Sequence, residues 1–174
     1  MSAVDPPVPC PICRTPTANY SPDPSQSIFQ GLSKFNVTCP RCGKFASTQM
    51  GEELFKPYRS DAKLVAAASG WIRHHQGFIL GTAETVNVLL EALVPSLTER
   101  AGHLLEAIAK EYPDLGATFE LYFHDPRWLG ASYSATDDDV EFIAQRFLVA
   151  EKKFLEAKIP HAQNTPGSLR FLPI

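Results

Sequence analysis

The chain of 174 residues is 44% hydrophobic and 20% charged, a globular composition that excludes a wholly disordered polypeptide. Its net charge of −3 excludes attraction to nucleic acid or an anionic membrane through overall field alone. The charge is uneven, however. Residues 1–59 carry six Lys or Arg against four Asp or Glu, and the remainder ten against fifteen. Any affinity for nucleic acid is therefore expected on the N-terminal part.

Residues 1–7 lack the basic start and apolar run of a signal peptide, and no stretch approaches the roughly 18 apolar residues of a bilayer span. The expected location is the cytoplasm, where thiols stay reduced, and no membrane partner is expected. All four cysteines fall in two pairs, Cys10-Pro11-Ile12-Cys13 and Cys39-Pro40-Arg41-Cys42. Two intervening residues let both thiolates of one tight turn reach a single tetrahedral ion. Gly43 suits the exit from the second turn, where a positive φ would penalise a Cβ. Two disulfides do not suit a reducing compartment, and a redox motif of the thioredoxin kind needs a βαβ context that is missing. One structural Zn2+ held by Cys10, Cys13, Cys39 and Cys42 is the expectation, with iron the alternative for four thiolates. Four thiolates close the shell, so the site is expected to fold the chain and not to catalyse.

Residues 35–38 and 44–48 read as a short hairpin with the second Cys pair at its tip. The stretch from Arg14 to Lys34, rich in Ser, Pro, Asp and Gln, reads as an irregular exposed loop. Beyond it the apolar spacing becomes helical. Ser60 is the expected N-cap of a helix to about His75, with Leu64, Val65, Ala68, Trp71 and Ile72 on one face and Gly77 past its end. A second helix is expected after Thr82, carrying Val86, Leu89, Leu90 and Leu93 as far as Pro95. A capping box, Ser96-Leu97-Thr98-Glu99, opens a third with Ala101, Leu104, Leu105 and Ile108, closed by Tyr112-Pro113.

Residues 118–123 are rich in β formers and read as a strand, followed by a His124-Asp125-Pro126 turn. Thr136 then caps a helix whose first turn is Asp137-Asp138-Asp139 and whose stripe is Val140, Ile143, Ala144, Phe147 and Leu148. Residues 153–159 and 168–173 are expected to pair around an Asn164-Thr165-Pro166-Gly167 turn. The fold class is thus α+β, mainly α-helical. A zinc ribbon over 1–56 is followed by a helical domain over 57–174 whose C-terminal part is winged-helix-like.

No catalytic motif is present. His74 and His75 are adjacent on a helix and point about 100° apart, so they do not share a ligand easily. His103, His124 and His161 read as surface or capping residues. The three aspartates are explained by the helix start, and Ser132-Tyr133-Ser134 has no Gly-x-Ser-x-Gly elbow around it. For nucleic acid, the helix from Asp137 presents acid to phosphate, with Arg146 as its counterweight. Arg41, Lys44, Lys56 and Arg59 near the ribbon are the better contacts. Trp71, Ile72 and Phe78 are the candidate partner surface, provided that they are exposed.

Val37-Thr38-Cys39-Pro40-Arg41-Cys42-Gly43-Lys44-Phe45, then Ser69-Gly70-Trp71-Ile72-Arg73, then the Leu104-Leu105 helix and Tyr133-Ser134 resemble a particular bacterial module. It is the zinc-ribbon and helical region found ahead of nucleoside 2-deoxyribosyltransferase-like effectors in anti-phage defence proteins. Such proteins continue into the effector where this chain stops at Ile174. The resemblance therefore implies a sensing or scaffolding part whose effector is a separate polypeptide, or a regulator of something else. The leading expectation is a non-enzymatic zinc-binding adaptor or regulatory subunit that acts on another protein, and a homo-oligomer is compatible with it. The alternatives are a DNA- or RNA-binding regulator and a small enzyme using His74 or His75.

Overall fold

The computed structural model describes residues 7–23, 28–29, 32–114, 118–151, 155–158 and 167–171. The chain is a mixed α/β protein that parts into two compact units, Met1–Val94 and Pro95–Ile174.

The first unit is built on a hairpin. Strands β3 (Leu32–Cys39) and β4 (Gly43–Thr48) pair antiparallel from Lys34↔Thr48 to Cys39↔Gly43, and the second Cys pair forms the turn between them. Strands β1 (Asn19–Pro22) and β2 (Ile28–Phe29) both pair antiparallel with β3, and β5 (Ile79–Leu80) adds in parallel to β4. Within the stretch from Arg14 to Lys34, residues 19–22, 28–29 and 32–34 are therefore strand and not the irregular loop expected from their composition. Tyr20 stacks on Phe35 at 5.2 Å and donates to Glu52 Oε1 at 2.7 Å, so one aromatic face and one half-buried acceptor fix β1 despite its polar neighbours.

Helix α1 (Gln49–Phe55) starts at the Thr48 cap, whose hydroxyl accepts from Gly51 N at 3.1 Å and donates to Gly81 O at 3.2 Å. A 3₁₀ turn (Lys56–Tyr58) leads to α2 (Ala62–His74). The cap of α2 is Asp61 and not Ser60, because its carboxylate reaches both Lys63 N (2.9 Å) and Leu64 N (3.1 Å). The expected apolar face of α2 is there, but residues 65–70 are buried all round, so this helix is central to its unit. Gly77, at φ +85°, turns the chain toward β5. Helix α3 (Ala83–Leu90) starts at Thr82 as expected and ends before Leu93, which is 84% exposed and not on the stripe.

The core of this unit joins Cys10, Ile12, Cys39 and Cys42 to Phe45, Phe55, Ala68, Ile72, Leu80 and Leu89. Full burial of one such Ile or Leu side chain is worth roughly 1.5–3 kcal/mol. Because the cysteines and α2 share this core, the boundary falls after Val94 rather than at 56/57.

The second unit begins with α4 (Leu97–Glu111) and its expected capping box: Ser96 N donates to Glu99 Oε2 at 2.9 Å, and Glu99 N to Ser96 Oγ at 3.4 Å. Strand β6 (Thr118–Leu121) is followed by α5 (Pro126–Ala131), a short helix that the turn reading of His124-Asp125-Pro126 overlooked. Asp125 is its N-cap and Pro126 its first residue, which is where a proline's missing N–H costs nothing. Helix α6 (Asp137–Phe142) opens at the Thr136 cap and runs on through Ile143–Glu151 with the wider, π-type turn. Its expected stripe, Val140, Ile143, Ala144, Phe147 and Leu148, is buried against Leu104, Ile108, Phe119, Leu121 and Trp128.

Strands β7 (Leu155–Lys158) and β8 (Gly167–Phe171) pair antiparallel, and β8 pairs on its other side with β6, giving the order β6-β8-β7. The expected terminal hairpin thus has its partner strands, while Asn164, Thr165, Pro166 and His161 lie outside the described residues. Among the described residues no helix is long and apolar enough to cross a membrane.

Candidate metal centre

The first Cys pair lies at the end of a small loop. Val8 O accepts from Thr17 N (3.0 Å) and from Thr17 Oγ1 (2.7 Å), and Cys10 N donates to Thr15 O at 2.9 Å. The second pair is the tip of β3–β4. Together they bring the four Sγ atoms within 4.8 Å of one another. Cys10 Sγ lies 3.8 Å from Cys42 Sγ, and Cys13 Sγ 3.5 Å from Cys39 Sγ.

Those separations decide between the chemistries. A disulfide needs about 2.05 Å, and all four cysteines are free thiols. A tetrahedron with metal–sulfur bonds of about 2.3 Å has edges of about 3.8 Å. The four side chains therefore fit one tetrahedral ion. Cys10 and Cys42 are 0% exposed and Cys39 2%, so three of the four donors lie within the protein core, and Cys13 is half-buried at its edge. Burial pushes the Cys10 and Cys42 thiols well up, while hydrogen bonds from neighbouring sulfurs hold Cys13 and Cys39 down. Four thiolates so close together need a cation to coexist.

Three of the sulfurs have a polar hydrogen-bond partner outside the sulfur cluster. Cys39 Sγ accepts from Cys42 N at 3.5 Å, while the Cys13 thiol donates to Thr15 Oγ1 at 3.3 Å and the Cys42 thiol to Ser69 Oγ at 3.4 Å. Each turn is also held through its carbonyls. Arg59 Nε donates to Pro11 O at 2.6 Å, and Arg73 Nη1 to Pro40 O at 2.8 Å. Arg59, Ser69 and Arg73 were not recognisable as parts of the centre from spacing. The one local signal was a serine inside the Ala66-Ala67-Ala68-Ser69-Gly70 run, where a polar atom needs a partner.

Comparison with protein-family models, with curated proteins and with solved structures gives no match. The geometry therefore carries the functional reading.

The other candidate residues separate. Arg59 is committed to the first Cys turn and Lys56 to an exposed ion pair with Glu53 at 3.1 Å. Arg41 is half-buried in the second turn, and Lys44 is exposed on β4. A groove of about 360 Å³ in the first unit is lined by Lys34, Asn36, Thr38, Lys44, Gln76 and Phe78, among others. Lys34 there pairs with Asp23 at 3.1 Å.

The Trp71, Ile72 and Phe78 face is not an exposed patch. Ile72 is fully buried, and Trp71 meets Phe78 edge-on at 5.3 Å against the same core. His75 is exposed, stacks on Trp71 at 4.0 Å and has Nδ1 2.7 Å from Trp71 O, while His74 is half-buried. His103 lies 5.8 Å from the Tyr133 ring, and His124 is exposed beside Tyr122. Ser132 and Ser134 are fully buried and tied to Arg100, whose Nε donates to Ser132 O (2.8 Å) and Nη2 to Ser134 Oγ (3.1 Å). Asp139 completes the Thr136 capping box by accepting from Ala135 N and Thr136 N, and among the described residues only the cysteines make a metal-ligating cluster.

Proposed function

We propose that this protein is a non-enzymatic zinc-binding adaptor or regulatory subunit that acts by contact with another protein. Zinc suits a closed four-thiolate shell that contributes folding energy and has no open position for water. The two Cys turns, one at a hairpin tip, support the zinc-ribbon reading of the first unit. In the second unit, the sequence of helix, strand, two helices and two strands, with the first strand paired to the last, supports a winged-helix layout.

The observation that carries the adaptor reading is the outer face of α6, the helix that would read a DNA groove in such a layout. It presents exposed Asp137 and Asp138, half-buried Glu141, and Phe142 at 49% exposure. Phosphate would be repelled by this face, whereas an exposed aromatic flanked by acid suits a protein surface that is apolar and basic. The resemblance of residues 37–45 and 69–73 to modules in anti-phage defence proteins supports an effector as the partner.

Affinity capture of the tagged protein from its native host tests this reading. A stoichiometric partner should be recovered with wild type and reduced roughly tenfold by Phe142→Ala or Asp138→Lys. A protein that captures nothing above control, or one whose partner is retained by both variants, overturns it. Nucleic-acid binding is the second reading, favoured by the groove carrying Lys34 and Lys44. It requires salt-sensitive binding to duplex DNA that is lost on Arg41→Glu with Lys44→Glu.

A further inference from the structure

Ser69 is fully buried in the middle of α2, between Ala66, Ala67 and Ala68 on one side and Gly70 on the other, all of them buried. A hydroxyl taken out of water without a partner costs roughly 1–3 kcal/mol. Its Oγ lies 3.4 Å from Cys42 Sγ, and Cys42 is itself 0% exposed. One turn further along the same helix, Arg73 donates to the carbonyl of Pro40 in the same Cys turn. Residues four apart share a helix face, so Ser69 and Arg73 grip the 39–42 turn together, one at its sulfur and one at its backbone.

We propose that Ser69 is the outer-sphere hydrogen-bond donor that sets the metal affinity of the four-cysteine centre, and that α2 is thereby part of the metal site. This rests on the metal-binding reading above. As a free thiol Cys42 Sγ donates to Ser69 Oγ; a metal-bound thiolate carries no proton, so in the loaded protein the serine hydroxyl turns to donate and the sulfur accepts. The bond stabilises charge on a fully buried ligand, where water cannot. It also orients that sulfur toward the other three. Thr15 makes a similar contact to Cys13 from within its own loop. Ser69 differs because it comes from another element, so metal occupancy and the docking of α2 are linked.

The test uses full-length protein loaded with zinc, cobalt(II) or cadmium. Ser69→Ala should lower zinc affinity roughly 10- to 100-fold in competition with a chelator. It should also move the sulfur-to-cobalt charge-transfer band to longer wavelength, because an unbonded thiolate gives up its electron more readily. Leu89→Ala, which weakens the same core away from the sulfurs, should leave that band in place. Affinity within twofold of wild type together with an unmoved band overturns the proposal. If Ser69→Ala does not fold, the cadmium-loaded wild type still decides. The Ser69 hydroxyl proton should show coupling to cadmium through the Cys42 sulfur, and its absence overturns the assignment. A wild type that takes up no equivalent of any metal would instead overturn the underlying metal reading.

Discussion

Arg14 and Gly43 hold the same position in the two Cys turns, the residue after the second cysteine, and both have positive φ, +65° and +80°. The chain leaves each turn through the left-handed region, which costs an L side chain about 1–2 kcal/mol and glycine nothing. Only the second turn has the glycine. Opposite effects are therefore expected from exchanging the two. Gly43→Ala should destabilise the zinc-loaded protein by about 1 kcal/mol, since the new Cβ would make ordinary contact with Arg73 at 3.5 Å and the cost is mainly backbone strain. Arg14→Gly should stabilise it by about 0.5 kcal/mol, the strain relieved less the added entropy of the unfolded chain. It also removes a charge that repels Arg59. Urea midpoints of the loaded variants measure both signs.

Cys39→Ser should unfold more of the protein than residues 1–56. Had the boundary lain at 56/57, α2 and α3 would stand without metal. Cys39 and Cys42 instead pack in one core with Ala68, Ile72 and Leu89, and Ser69 and Arg73 of α2 bind the second Cys turn. Structural zinc contributes on the order of 10 kcal/mol to the folding of small domains, more than this unit's core can forfeit. Far-UV circular dichroism of the variant should lose the helical signal of α1, α2 and α3. The signal of α4, α5 and α6, which share a separate core, should remain. Retention of the whole helical signal would contradict this account.

The cysteines, the hairpin between residues 35 and 48, and the caps at Thr82, Ser96 and Thr136 were legible because each is local: two to four residues settle the geometry. The buried stripe of α6 was legible because its period is long and regular. What the sequence concealed depends on distant contacts. Strand β1 reads as loop until Tyr20 meets Phe35 and Glu52, and α5 reads as turn because six residues give no periodic signal. The Trp71, Ile72 and Phe78 face looked available because exposure cannot be read from one helix alone. Arg59 read as a phosphate contact, although its partner, the carbonyl of Pro11, is 48 positions away.

Gly51→Ala should be strongly destabilising although it lies in a helix, where alanine is normally better by about 1 kcal/mol. A Cβ at Gly51 would overlap the Leu80 carbonyl and stand 2.8 Å from Gly81 N. Helix α1 therefore touches the backbone of β5 directly, and a methyl group can be admitted only by moving one of them. Overpacking of this kind costs typically 1–3 kcal/mol, and here backbone gives way instead of a side chain. A net loss of about 2 kcal/mol in the urea-derived stability is expected. An unchanged or raised midpoint would show that α1 and β5 are not in contact.

Acid should weaken the second unit through Asp125. Burial works to raise its pKa, but the side-chain and backbone hydrogen bonds from Arg127 outweigh that, and the carboxyl is held below its ordinary value. The distances are 2.7 Å from Arg127 Nη2, 2.9 Å from Nε and 2.9 Å from N. A carboxyl depressed by folding adds stability that is fully present above its unfolded pKa of about 3.9 and is lost as pH falls through its lower folded value. Wild type should therefore lose stability as pH falls below about 4 partly on this account. Asp125→Ala should cost about 0.5–2 kcal/mol at pH 7, from the missing N-cap of α5, and should show a shallower fall below pH 4. Asp125→Asn keeps a cap without the charge, so it should be less damaging at pH 7 yet share the shallower acid limb. Urea unfolding followed by the fluorescence of buried Trp128, in a Trp71→Phe background, reports on this unit alone. Parallel pH curves for wild type and Asp125→Ala would place the acid sensitivity elsewhere.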